Sequence, residues 1–233
     1  MDKIKIVFEN EYFFVIEKPC GVVVNRSETH SGITLQDFIE EKFLLSSENE
    51  EDPEFKSRSG IIHRLDKDTS GILLVAKHPK SFYELQEKFK SREVEKKYLC
   101  VVLGDISEER FEIDAPISRN PNNRFKYAVV RDGKEAQTYF EKIKTIEVNN
   151  FKLTSLLVFP RTGRTHQIRV HLAAYGTPVV IDPIYMSQKD QELGEILGVG
   201  RLMLHAKSLK FEYNSKEYFF ESETPKEFEK YLN

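Results

Sequence analysis

The sequence predicts an α+β fold built on a mixed sheet. Three observations carry that prediction. Apolar runs of strand length recur along the chain, punctuated by Gly, Pro, Asn and Asp. A few amphipathic stretches with capping residues at their starts are scattered among them. One strong hairpin signal, Asp132–Gly133, sits inside a long basic segment.

Residues 4–8 and 12–17 read as paired strands around Glu9–Asn10–Glu11, and Pro19 and Gly21 end the second. Thr34 starts a helix: its hydroxyl can cap, Asp37 follows three residues on, and Leu35, Phe38 and Ile39 open an apolar face. Residues 46–60 lack periodicity and read as a mobile loop. Ile72 to Ala76 carry no polar side chain, as expected of a strand covered on both faces, and the strand is placed at 72–77. Pro79 opens a helix with Phe82, Leu85 and Phe89 on one stripe. Tyr98 to Leu103 reads as a strand, 119–140 as a long basic hairpin, and 151–159 as another strand. Thr165 to Tyr175 reads as a helix with Ile168, Leu172 and Tyr175 on one face and Gly176 as its cap. Strands are expected at 202–205, 208–213 and 217–221, then a terminal helix opened by a capping box at Thr224–Glu227.

Length and composition narrow the class. At 233 residues, with 39% hydrophobic and 31% charged residues, the chain is long enough for a sizeable core and reads as a cytoplasmic globular protein. No apolar run is long enough to span a bilayer, and the first residues lack a signal-peptide pattern. Cys20 and Cys100 form no metal-ligand pattern, and no histidine pair has helical ligand spacing. Neither a P-loop, a dinucleotide fingerprint nor a nucleophile elbow occurs. The net charge of −3 hides an uneven distribution. Glu48, Glu50, Glu51, Asp52 and Glu54 crowd one segment, while Arg119, Arg124, Lys126, Arg131 and Lys134 crowd another.

Two polar motifs stand out. HRLDKDTSG (63–71) precedes the buried strand, which puts Asp66 and Asp68 on a rigid edge of the core. TGRTHQIRVH (162–171) places Arg164 and Arg169 around a helix start. Turn chemistry and anion binding at a helix N-terminus explain either motif taken alone. Taken together, they allow one arginine to pair with an aspartate of the first motif. At about 4 Å and an effective dielectric near 20, that arginine supplies on the order of 4 kcal/mol toward keeping the carboxylate ionised. Tyr98, which opens a strand after Lys96–Lys97, is either a core aromatic or a surface on which a base stacks.

The segments EKPCGVVVN (17–25), HRLDKDTSGILLVAK (63–77), KKYLCVVLG (96–104), GKEAQTYF (133–140), TGRTHQIRVHLAAYGTPVVID (162–182) and LMLHAKSLKF (202–211) resemble the RluA-type pseudouridine synthases over nearly the whole chain. The resemblance implies the pseudouridine synthase fold, with a mixed, mostly antiparallel central sheet, flanking helices and loops, and a central active-site cleft. It implies a single catalytic domain over 1–233, without the separate N-terminal S4 domain of many relatives, so that RNA binding falls to the catalytic domain. The implied activity is isomerisation of uridine to pseudouridine in RNA, without cofactor; ribosomal and transfer RNA are both open, no metal is expected because no ligand pattern occurs, and a monomer is the default expectation. The missing accessory domain leans slightly toward transfer RNA or a compact stem-loop.

Position by position, the family's catalytic aspartate falls on Asp66, its tyrosine on Tyr98, and the arginine that partners the aspartate on Arg169. Further substrate contacts are expected from His63, Arg64, Thr69, Arg164, His166 and Gln167, and from Arg119, Arg124 and Lys126 of the basic hairpin. One departure is Ile181, where the family usually has glycine before the aspartate matched by Asp182. Two rival readings are a catalytically silent RNA-binding or chaperone protein of the same fold, and a hydrolase that uses Asp66 with His63.

Overall fold

In the computed structural model, residues 4–28, 30–43, 52–187 and 193–232 are described. The elements in order are β1 (Lys5–Glu9), β2 (Phe13–Lys18), α1 (Leu35–Phe43), α2 (Pro53–Arg58), β3 (Ser70–Ala76), α3 (Pro79–Lys90), β4 (Glu95–Leu103), β5 (Arg110–Asp114), β6 (Ile117–Asn120), β7 (Asn123–Val129), β8 (Gln137–Val148), β9 (Phe151–Pro160), α4 (Gln167–Ala174), α5 (Leu193–Leu197), β10 (Leu204–Tyr213), β11 (Lys216–Glu221) and α6 (Lys226–Glu229). The α+β class is therefore as the sequence predicts. The chain divides into two compact units, residues 1–94 with 208–222, and residues 95–207 with 223–233. None of the described helices is long and apolar enough to cross a membrane.

The first unit is organised around β2 and β3. They pair antiparallel, with Phe13 opposite Ala76 and Lys18 opposite Gly71. Every residue of β3 is buried, which explains its lack of charged side chains. β1 pairs antiparallel with β2 after a turn in which Asn10 Oδ1 accepts the N–H groups of Tyr12 and Phe13. α3 buries Phe82 and Leu85 against Phe13, Leu74 and Phe211 in one apolar cluster. The capping box at α1 forms as expected: Thr34 N–H and Oγ1 donate to Asp37 Oδ2 at 2.7 Å, and the Asp37 N–H donates back to Thr34 Oγ1. Those hydrogen bonds hold the Asp37 carboxyl down to about 2.

The second unit has the strand order β4-β9-β8-β5, antiparallel throughout. Its core gathers Cys100, Val102, Phe140, Leu156, Leu172, Val180 and Phe228. Burial pushes the Cys100 thiol well above its usual range, so it stays a neutral, apolar-packed group.

Five expectations need correction. The loop expected over 46–60 contains α2: Asp52 Oδ1 accepts the Phe55 N–H at 2.8 Å and Pro53 occupies the first turn. Residues 46–51 lie outside the described residues. The hairpin expected over 119–140 is instead β6–β7, turning at Pro121–Asn122 under Asn120 Oδ1, which accepts the N–H groups of Asn122 and Asn123. Asp132–Gly133 does turn, with Gly133 N–H donating to Val130 C=O. Its glycine, however, serves a close approach: a Cβ there would meet Ile117 backbone at 2.7 Å.

The helix expected from Thr165 starts at Gln167, because His166 is left-handed at φ 57°. Ile168 and Leu172 are buried as expected, but Tyr175 is exposed and stacks on Phe111. The strands expected at 202–205 and 208–213 are one strand, β10, through Lys207. At the last helix the N-cap is Pro225 and no side chain caps it, so the expected box does not form.

Candidate active site

Asp66 stands at the start of a tight turn just before β3; the Thr69 N–H donates to its C=O at 3.1 Å. Three groups from the KPCG segment grip this turn, and all three hold its backbone. Lys18 is fully buried at the end of β2, and its Nζ donates to the C=O of Lys67 at 2.9 Å and to those of Pro19 and Val22. Gly21 N–H donates to Lys67 C=O at 2.9 Å. Cys20 Sγ donates to Asp68 C=O at 3.0 Å. The Asp66 side chain is half-buried, Arg64 is exposed, and Thr69 is buried. The aspartate is thus carried by backbone whose position is fixed from β2.

His63 has a structural task. Its Nε2 accepts the Leu74 N–H at 3.0 Å, and its ring stacks on Phe89 with centroids 4.5 Å apart. That acceptor role puts a proton on Nδ1 and commits the other lone pair to β3, which disfavours His63 as the base of a hydrolase. An open cavity of about 570 Å³ lies beside it, lined by Arg26, Lys56, Arg58 and Arg64 among others.

The second unit holds the other motif. Arg169 is 2% exposed and Asp182 0%. Arg169 Nε donates to Asp182 Oδ2 at 2.7 Å and Nη2 donates to Oδ1 at 2.8 Å, a two-point ion pair. Asp182 Oδ1 also accepts the N–H groups of Ile184 and Tyr185. The guanidinium carbon lies 5.2 Å from the Tyr185 ring centre. A carboxylate the sequence reading left without a role therefore aims the guanidinium. Ile181 takes up φ 56°, so the loop keeps the left-handed geometry that suits glycine despite a β-branched residue.

Much of the TGRTHQIRVH motif is framework. Gln167 is buried; it accepts from Thr162 Oγ1 and the Arg164 N–H, and donates to Gln137 C=O and Thr138 Oγ1. His171 Nδ1 lies 2.9 Å from Thr138 Oγ1 and Nε2 lies 3.0 Å from Ala115 C=O; burial lowers its pKa. His166 Nδ1 lies 2.9 Å from the Tyr185 hydroxyl. Arg164 is exposed, and its Nε donates to Glu135 C=O. Tyr98 sits half-buried on β4 opposite Val158.

The basic hairpin is tied to the same framework. The Tyr127 N–H donates to the Tyr185 hydroxyl at 3.0 Å. Arg119 and Arg124 are exposed and Lys126 half-exposed. Among the described residues no group of three or more His, Cys, Asp or Glu side chains converges as a metal site would. Lys18, Asp182 and Tyr185 are the residues sequence reasoning missed. Lys18 and Asp182 lie inside the motif segments EKPCGVVVN and TGRTHQIRVHLAAYGTPVVID, which was the signal available for them.

A family model described as RNA pseudouridylate synthase matches residues 12–174. A protein of Aquifex aeolicus named as an uncharacterized RNA pseudouridine synthase is 37% identical over 97% of this chain and 71% of its own length. The ribosomal large subunit pseudouridine synthase D of Nitrosomonas europaea is 36% identical over 87% of this chain, which spans 56% of that relative's length. The solved structure of human RNA pseudouridylate synthase domain containing 1 matches 99% of this chain and 86% of its own, with a TM-score of 0.75 and 27% identity. At 20% identity and a TM-score of 0.71, human RNA pseudouridylate synthase domain containing 4 shares the fold. An aspartate turn gripped through its backbone, a carboxylate-aimed arginine and a match that covers most of the chain lead to one conclusion: this chain belongs to the RNA pseudouridylate synthase family.

Proposed function

We propose that this chain isomerises uridine to pseudouridine within RNA, with Asp66 as its catalytic carboxylate. The target base leaves its stack, at a cost of a few kcal/mol, so that its glycosidic bond becomes reachable. Asp66 acts at the ribose, by attack at C1′ or by removal of the C2′ proton; either route breaks the C1′–N1 bond. The uracil turns and C1′ bonds to C5. C5 then loses its proton and N1 takes one up, so the RNA keeps its composition. Tyr98 stacks on the base, and Arg169, aimed by Asp182, supplies positive charge for the reaction. Arg64 fills the vacated space or holds a neighbouring phosphate. Arg119, Arg124, Lys126 and Arg164 meet further phosphates, which gives salt-dependent affinity.

The observation that supports this reading most is the turn at Asp66, held through its carbonyls by Lys18, Cys20 and Gly21, in a chain whose family match includes it. Large-subunit ribosomal RNA is the first substrate to test, because relatives carry that name. The experiment is tritium release from a large-subunit RNA transcript containing 5-tritiated uridine. Asp66→Asn abolishes release and Asp68→Asn retains it; release from Asp66→Asn at the wild-type rate removes Asp66 from the mechanism.

A further inference from the structure

Phe125 is 92% exposed, at the tip of a hairpin rich in cations. Cross-strand pairing runs from Arg119–Tyr127 directly to Asn120–Asn123, so Arg124, Phe125 and Lys126 arch out of the ladder as a three-residue bulge. The bulge is tied from several sides. Asn123 Oδ1 accepts the Phe125 N–H at 3.1 Å, and Arg119 Nη1 donates to Arg124 C=O at 2.7 Å. The Arg119 guanidinium is in turn packed 5.4 Å from the Tyr127 ring centre. These bonds hold a large apolar ring out in water, where it gains no burial.

The neighbours of the ring decide what fits it. Arg124 and Lys126 flank it in sequence, and Arg119 lies across the ladder. An isolated ring framed by cations has no surrounding apolar patch of the kind a protein interface needs. It suits a polyanion that also offers flat π-faces, which describes single-stranded RNA. We propose that Phe125 is a stacking platform for an unpaired RNA base, with Arg119, Arg124 and Lys126 on the flanking phosphates. This rests on the reading of the chain as an RNA-modifying enzyme, and assigns Phe125 to recognition outside the chemical step. The hairpin backbone is bonded at Tyr127 to the Tyr185 hydroxyl, and Tyr185 packs on Arg169, so the platform has a fixed position relative to that arginine.

The chain contains no tryptophan, so Phe125→Trp creates a single reporter at the tip. Titration with a twelve-nucleotide oligouridylate quenches its fluorescence, and titration with inorganic polyphosphate of equal charge does not. Phe125→Ala and Phe125→Leu each weaken oligouridylate binding by about 5- to 150-fold, the range of one base–aromatic stack, and Phe125→Trp retains it. With an RNA stem-loop substrate, KM rises in Phe125→Ala while kcat holds. Unchanged affinity in Phe125→Ala, full rescue by Phe125→Leu, or absent quenching while labelled oligouridylate is bound each overturns the platform. Binding is also read in Asp66→Asn, so failure of the isomerase reading leaves the quenching intact, and failure of the platform leaves isomerisation intact.

Discussion

Replacing Asp182 by Asn tests the view that this carboxylate is what positions Arg169. Both side chains are almost fully buried, and the pair is held by two hydrogen bonds of 2.7 and 2.8 Å. Asparagine keeps one oxygen, so the N–H groups of Ile184 and Tyr185 retain an acceptor and the local turn survives. The other oxygen becomes an amino group facing the Arg169 Nε–H, donor against donor. Stranding one member of a buried ion pair costs about 3–5 kcal/mol. At roughly 2–4 °C per kcal/mol for a chain of this size, the midpoint of thermal unfolding falls by about 6–20 °C. Circular dichroism with heating reads the shift, and denaturant titration reads the free energy. A cycle with Arg169→Met separates pairing from packing: the double variant recovers about 2 kcal/mol or more over additivity. A midpoint within 3 °C of wild type, with a coupling energy below about 0.5 kcal/mol, refutes the reasoning.

Further outcomes follow from other contacts. Lys18→Met removes the ammonium that holds the carbonyls of Pro19, Val22 and Lys67. It lowers kcat by about 10²-fold through misplacement of the Asp66 turn, while KM changes little; steady-state kinetics check it, and unchanged kcat shows the grip to be dispensable. Acid stability is set in part by His205. Burial, then the charges of Arg201 and Lys207, lower its pKa to about 3. The unfolded histidine binds a proton near pH 6.5 and the folded one resists it, so stability is complete above 6.5 and drains away as pH falls toward 3. The loss is on the order of 2 kcal/mol between pH 6.5 and 5; urea titrations at both values measure it, and a His205→Gln variant shows a smaller difference.

Local pattern made some of this legible and non-local geometry hid the rest. β3 announced itself because Ile72 to Ala76, buried on both faces, are all apolar, and α1 because Thr34 and Asp37 form its cap within the sequence. α2 escaped because six residues are too few for a period, although Asp52–Pro53 already held its cap. The Asp132–Gly133 signal misled because its glycine serves the backbone of Ile117, a requirement set by tertiary contact. In the site, Arg169 could be singled out from its motif. Asp182 lies thirteen positions later, and only folding lays its carboxylate along the guanidinium.

The grip on the turn after Asp66 has a consequence for how recognition can diverge. Lys18, Cys20 and Gly21 touch main-chain oxygens, which every amino acid supplies alike. The exposed side chain at 67 is therefore not read by the scaffold, and exchanging it alters the local surface charge without displacing the carboxylate one position earlier. The placement of the carboxylate and the identity of the side chain beside it are in this way independent within the same four-residue bend.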